Sequence, residues 1–118
     1  MMQTRKNDPL PAKRAQEIAR KTLGGAYDPL LACRDLASLK EGLPHVSKNL
    51  MNIFVGIASE VDALPIGSER AHWAAEPLRL KDIEVADYRE RVRSVVVKAL
   101  SELVLVLEGT ARRDELRQ

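Results

Sequence analysis

From Lys81 to Glu108 the chain runs for 28 residues without a glycine or proline, and no other stretch constrains the fold as strongly. As a helix this run would be about 42 Å long at 1.5 Å per residue. Asp82, Glu84 and Asp87 at its start complement the dipole of a helix N-terminus, and Gly109 offers an end. Val85, Tyr88, Val92, Val95, Val96, Ala99, Leu100, Leu103 and Leu107 keep a three-to-four rhythm, which an amphipathic helix requires and a pair of strands does not. The competing reading is β structure, because Val95-Val96-Val97 and Leu103 to Leu107 are rich in β-branched and apolar residues. Val97, Val104, Leu105 and Val106 lie off the main stripe. They predict either a helix enclosed by its neighbours or a seam for a homodimer.

Upstream, prolines and glycines cut the rest of the chain into helix-sized pieces. Asp8-Pro9 and Asp28-Pro29 each supply a capping oxygen followed by a residue pre-set for the first helical position. The first predicted helix offers a narrow stripe of Ala12, Ala15, Ile18, Ala19 and Leu23 before Gly24-Gly25 stops it. The second places Leu30, Cys33, Leu36, Ala37 and Leu39 on one face, with Gly42 predicted to supply a left-handed closing position. Ser47 is positioned to cap a third helix, whose Leu50, Ile53, Phe54, Ile57, Val61 and Leu64 form the densest stripe, widened by Met51, Val55 and Ala58. Pro65 is expected to stop it. Residues 66–80 read as an irregular crossover with one turn of helix around Glu69 to Ala75, ended by Pro77.

These elements predict an all-α protein of four main helices in an up-and-down bundle, with a longer crossover between helices three and four. The expected organisation is a flexible basic N-terminus over 1–8, a single helical domain over 9–109 and a polar tail over 110–118. At 118 residues, 45% hydrophobic and 31% charged, the chain can fill one core and cover it. Aromatic residues are only 3%, so that core must be aliphatic. Cys33 is the single cysteine, which precludes an intramolecular disulfide and fits a reducing compartment. No apolar run of signal-peptide length follows the basic Met1 to Lys6, and no uncharged stretch is long enough to span a bilayer. A cytoplasmic protein without a membrane partner is expected.

Candidate chemistry is sparse. Cys33, Ser47, Ser59 and Ser68 are the nucleophiles considered, with only His45 and His72 as ordinary bases, and no hydrolase signature surrounds them. His72 with Glu60, Asp62 and Glu69 offers metal-ligand atoms, but no paired spacing fixes a geometry. The expectation is a non-enzyme with no cofactor and no metal. An enzyme would require His72 to titrate abnormally beside those carboxylates. Residues 1–22 hold six basic and two acidic groups. Arg5, Lys6, Lys13, Arg14, Arg20 and Lys21 therefore form the best basic patch, either a solubilising arm or the contact of a small regulatory nucleic-acid-binding protein. Arg89, Arg91 and Arg93, with Arg79 and Lys81, could meet an anion, but Asp82, Asp87 and Glu90 are interleaved at pairing distance.

The segment Ser59 to Trp73 is the most demanding in residue choice. It sets the only tryptophan, His72, Glu60, Asp62, Glu69 and Arg70 around a Pro65-Ile66-Gly67 break. One reading is a structural corner, in which Arg70 clamps Glu60 or Asp62 across the turn and Trp73 covers the core. The other is a recognition surface with Trp73, His72 and Arg70 as anchors. The segment Phe54-Val55, Ile57, Ser59-Glu60, Asp62, Leu64-Pro65, Gly67, Arg70, Trp73, with Glu76, Leu78, Lys81 and Asp82 after it, resembles a group of small single-domain, largely uncharacterised bacterial helical proteins. Ala32 to Leu36 with Leu39 is similar to a second pattern of that group. Ala58 and Ala75 depart from it, standing where the group carries an acidic residue and a proline. The resemblance implies a stand-alone bacterial protein. The expected function is that of a protein-binding module, immunity- or adaptor-like, whose 59–73 corner occludes a partner. Arg70 and Trp73 would anchor that partner while Glu60, Asp62 and Glu69 meet its basic groups, as a neutraliser of a basic nuclease would.

Overall fold

The computed structural model describes the backbone of residues 9–116 and the side chains of residues 10–109. It is all-α. The elements are α1 (Pro9–Leu23), α2 (Pro29–Ser38), a 3₁₀ turn Lys40–Gly42, α3 (Lys48–Glu60), a second 3₁₀ turn Ser68–His72, and α4 (Ala75–Leu116). No strand forms among the described residues, so the Val-rich runs are helical. Val96, Leu103 and Leu107 of these runs are buried in the core, and that tertiary packing overrides weak local propensity.

The starts of α2 and α3 follow the capping signals. Asp28 Oδ1 accepts the Leu30 N–H at 2.8 Å, and Ser47 Oγ accepts the Leu50 N–H at 3.2 Å. Asp8 lies outside the described residues. At the end of α1, Ala26 N–H reaches the Lys21 carbonyl and Gly25 N–H the Thr22 carbonyl, with Gly25 at φ +84°. That pairing needs a left-handed residue, and glycine takes the conformation without a Cβ penalty.

Four expectations are corrected. Gly42 is not left-handed, since Gly25 is the only positive-φ glycine among the described residues. Gly42 is instead a point of close approach: a Cβ there would fall 2.5 Å from Pro11 Cγ. Helix α3 ends at Glu60 rather than beside Pro65. Proline at 65 can neither donate to nor pack beside the carbonyl of residue 61, so the break appears four residues upstream, and Leu64 leaves the helix. Pro77 does not end a turn but sits inside the first turn of α4, where N–H groups have no intrahelical acceptor to lose. Gly109 does not end α4, which continues to Leu116 and so takes in most of the stretch expected to be a tail. The whole helix is about 63 Å long.

The core is mostly aliphatic, with Phe54 and Tyr88 as its aromatics. Phe54, Leu30, Leu36, Cys33, Val61, Val96, Leu100 and Leu103 are fully buried. Helix α2 packs against each of the other three helices, and α4 packs against α1, α2 and α3. Among the described side chains of α1 only Ala15 and Ala19 are fully buried, small enough to let its axis come close to its neighbours. The apolar residues off the α4 stripe are not enclosed as one reading had it. Val97 is 46% and Leu105 69% exposed, Val106 37%, while Val104 packs against the core. Val95, expected inside, is 49% exposed. No helix among the described residues is long and apolar enough to cross a membrane.

Candidate functional site

Three arginine–carboxylate forks join distant parts of the chain, and two of them hold the region that the sequence singles out. Arg89 on α4 grips Asp28, with Nη2 donating to Oδ2 at 2.7 Å and Nε to Oδ1 at 3.3 Å. One carboxylate thus caps α2 and ties it to α4. Arg34 on α2 donates to Glu69 at 3.0 and 3.4 Å, and the same carboxylate accepts the Ile66 N–H. Arg70 forms a bidentate pair with Asp82 on α4 while Nη1 also donates to the Pro65 carbonyl at 3.2 Å. The crossover is therefore fastened to α2 by Glu69 and to α4 by Arg70.

This overturns the predicted clamp. Arg70 reaches forward twelve residues to Asp82, not back to Glu60 or Asp62. Asp82 lies on the second turn of α4, within reach of the 3₁₀ turn that carries Arg70. The Arg34 guanidinium, helped by backbone N–H groups, holds the Glu69 carboxyl down to about 2. Arg70 lowers Asp82 in the same way. Gly67 leaves room for the Arg34–Glu69 fork, because a Cβ there would lie 2.8 Å from Glu69 Oε1 and 3.1 Å from Arg34 Nη1.

The other candidates occupy different surroundings. Glu60 is exposed at the end of α3 and its carboxylate faces the Tyr88 hydroxyl. Burial first, and Glu60 second, push that hydroxyl up to about 12, and the Arg91 guanidinium stands 5.5 Å from the Tyr88 ring centroid. Asp62 and His72 are exposed. Trp73 is partly buried and stands outside the core cluster, so it does not cap the core as expected. Cys33 is buried, and desolvation followed by the charge of Asp28 pushes its thiol up to about 12, which makes it a poor nucleophile at neutral pH. Among the described residues no group of three or more His, Cys, Asp and Glu is placed to hold a metal ion.

The basic patch is partly spent. Arg20 pairs with Glu108 at 2.6 Å and Lys21 with Glu17 at 3.0 Å. Lys13 and Arg14 are exposed, and Arg5 and Lys6 lie outside the described residues. Along α4, Glu76–Arg79, Lys81–Glu84, Asp87–Arg91 and Glu90–Arg93 pair within the helix, which neutralises the arginine face.

Two exposed apolar side chains were missed by the sequence reading. Leu80 is 55% and Ile83 59% exposed, one turn apart on α4. Among residues 75–84 of that helix none is buried, and the first core side chain is Val85. Pro77 hid this stub by suggesting that the helix begins later. No protein-family model matches the chain, and neither a curated protein nor a solved structure matches it.

Proposed function

We propose that the protein is a non-enzymatic, cytoplasmic protein-binding module that acts through the 59–73 corner and the adjoining first turns of α4. In this reading the four helices run up and down, and the crossover between α3 and α4 presents the surface at one end. The observation that carries it is the pair Leu80 and Ile83, exposed on a helical stub from which no residue enters the core. The stub adjoins a loop held in one shape by two arginine forks. Preorganised surfaces lose less entropy on binding, and adjacent exposed apolar residues are a usual interface centre. Asp62, Glu60 and His72, all exposed, supply a polar rim that suits a basic partner, which the module would occlude. Arg70 and Glu69 hold the loop in shape and are not anchors.

A photo-crosslinking residue at Ile83, compared with one at exposed Lys48, tests this in cells. A discrete crosslinked protein at 83 and none at 48 is expected. Equal or absent crosslinking at the two positions refutes the placement. A second reading, a homodimer along α4, rests on exposed Val97 and Leu105. A two-chain mass in light scattering that Leu105→Ser returns to one chain would support it.

A further inference from the structure

An open cleft of about 640 Å³ lies between the outer face of α1 and the C-terminal half of α2, within the span of about 300–1,000 Å³ usual for small-ligand sites. Arg14, Ile18 and Lys21 line it from positions i, i+4 and i+7 of α1, one face of that helix. Asp35 lines it from α2 and Leu39 from the C-cap of that helix. Ile18 and Leu39 are partly buried against the core and give it an apolar floor. Tyr27 forms a wall, fixed there because its hydroxyl donates to Asp35 Oδ2.

The lining holds two cations, Arg14 and Lys21, and two carboxylates, Glu17 and Asp35, which are not equally engaged. Asp35 accepts from Tyr27, and Glu17 is engaged by Lys21. Ser38 donates its hydroxyl to the Asp35 carbonyl. Arg14 alone among the lining charges has no hydrogen bond or ion pair with any described residue. The formal charges of the lining sum to zero, but with Asp35 already accepting from Tyr27 the one charged group without a partner among the described residues is a guanidinium, whose planar fork suits a carboxylate or a phosphate. Lys21, about 10 Å further along α1, is held by an exposed i,i+4 pair that contributes little and is readily exchanged. A bound molecule could set its anionic group on Arg14 and lay an apolar body across Ile18 and Leu39 against the Tyr27 ring.

We infer that this cleft is a binding site for a small amphipathic organic anion, with Arg14 holding the anionic group and Ile18, Leu39 and Tyr27 the apolar body. It is separate from the corner and the α4 stub, so the two readings stand or fall independently.

Hexanoate is the probe, followed by backbone amide chemical shifts of the full chain. Saturable shifts confined to the neighbourhood of Arg14, Ile18, Tyr27 and Leu39 are expected. Arg14→Ala, a substitution at an exposed position, should weaken binding by about tenfold or more. Lys13→Ala removes the same charge one residue away, outside the lining, and should change it by no more than about twofold. Hexan-1-ol, which has the apolar body without the anion, should bind as weakly to the native chain as hexanoate does to the Arg14 variant. Hexyl phosphate in place of hexanoate shows which anionic head is preferred, and saturable binding of either supports the site. No saturable shift with either anion up to about 10 mM, shifts centred on α4, or equal binding by the Arg14 and Lys13 variants would overturn the proposal.

Discussion

Replacing Gly67 by alanine pits two effects of similar size against each other, and the outcome depends on a neighbour. The backbone at Gly67 has φ −124°, so no left-handed penalty falls on alanine there. The substitution therefore removes freedom from the unfolded chain and should stabilise by about 0.4–1 kcal/mol. Against this, the new methyl would stand 2.8 Å from Glu69 Oε1 and 3.1 Å from Arg34 Nη1, so the fork must open. Its side chains are 38% and 31% exposed, and a solvent-screened pair of that kind contributes about 0–1 kcal/mol. The two effects nearly cancel, leaving a net change of less than about 0.6 kcal/mol. In a Glu69→Ala background the carboxylate is gone and Arg34 is free to swing away. The same glycine substitution should then stabilise by the full entropic amount, about 0.4–1 kcal/mol. Urea unfolding of the four proteins gives the cycle. Equal effects of Gly67→Ala in both backgrounds would refute the claim that the fork is what reserves position 67 for glycine.

The remaining expectations concern the core, the α2 cap and the pH profile. Phe54→Ala should cost about 3–5 kcal/mol in urea unfolding, because a fully buried aromatic leaves a cavity at the centre of the core. Asp28→Ala removes both the cap and the Arg89 fork, whereas Asp28→Asn keeps a capping oxygen, so the alanine variant should be the less stable by about 1 kcal/mol. Cys33, Tyr27 and Tyr88 are each pushed up to about 12 from ordinary values of 9.0 and 10.0. The folded state therefore keeps protons that the unfolded chain releases, and stability should be intact below about pH 9 and fall between there and pH 12. A flat thermal-melting profile across that window would contradict the hydrogen bond from Tyr27 to Asp35 and the burial of Cys33 and Tyr88. At the acid end the sign reverses for Glu69. Its contribution is present above its ordinary 4.5 and is lost as pH falls toward 2.

Much of the helical pattern was legible because it rests on local chemistry. Asp28 and Ser47 cap the helices they were expected to cap, and the 3.6-residue rhythm of α4 picked out Val85, Tyr88, Val96, Ala99, Leu100, Leu103 and Leu107, all buried. The errors arose where one residue type has two physical uses. Pro77 can end a helix or sit in its first turn, and only the tertiary course of the chain decides. Gly42 was read as a left-handed residue although Pro11, thirty-one positions away, is what requires its missing side chain. The forks were invisible for a related reason. Arg34 reaches Glu69 and Arg89 reaches Asp28 across 35 and 61 residues, distances for which spacing carries no signal. Arg89 stands one position from Glu90 and two from Asp87, close enough to look locally neutralised. In the corner the sequence singled out Glu69 and Arg70 but not their partners Arg34 and Asp82, and the exposed pair Leu80 and Ile83 lies just beyond the segment.

The central claim is a division of labour: arginine forks shape the corner, and Leu80 with Ile83 forms its contact surface. Urea unfolding of Leu80→Ser/Ile83→Ser, measured together with its affinity for the protein crosslinked at position 83, tests it most directly. Each of these surface substitutions should change stability by no more than about 0.5 kcal/mol, while affinity should fall by about tenfold or more. Unchanged affinity, or a loss of stability of several kcal/mol, would show that these side chains belong to the scaffold and that the contact surface lies elsewhere.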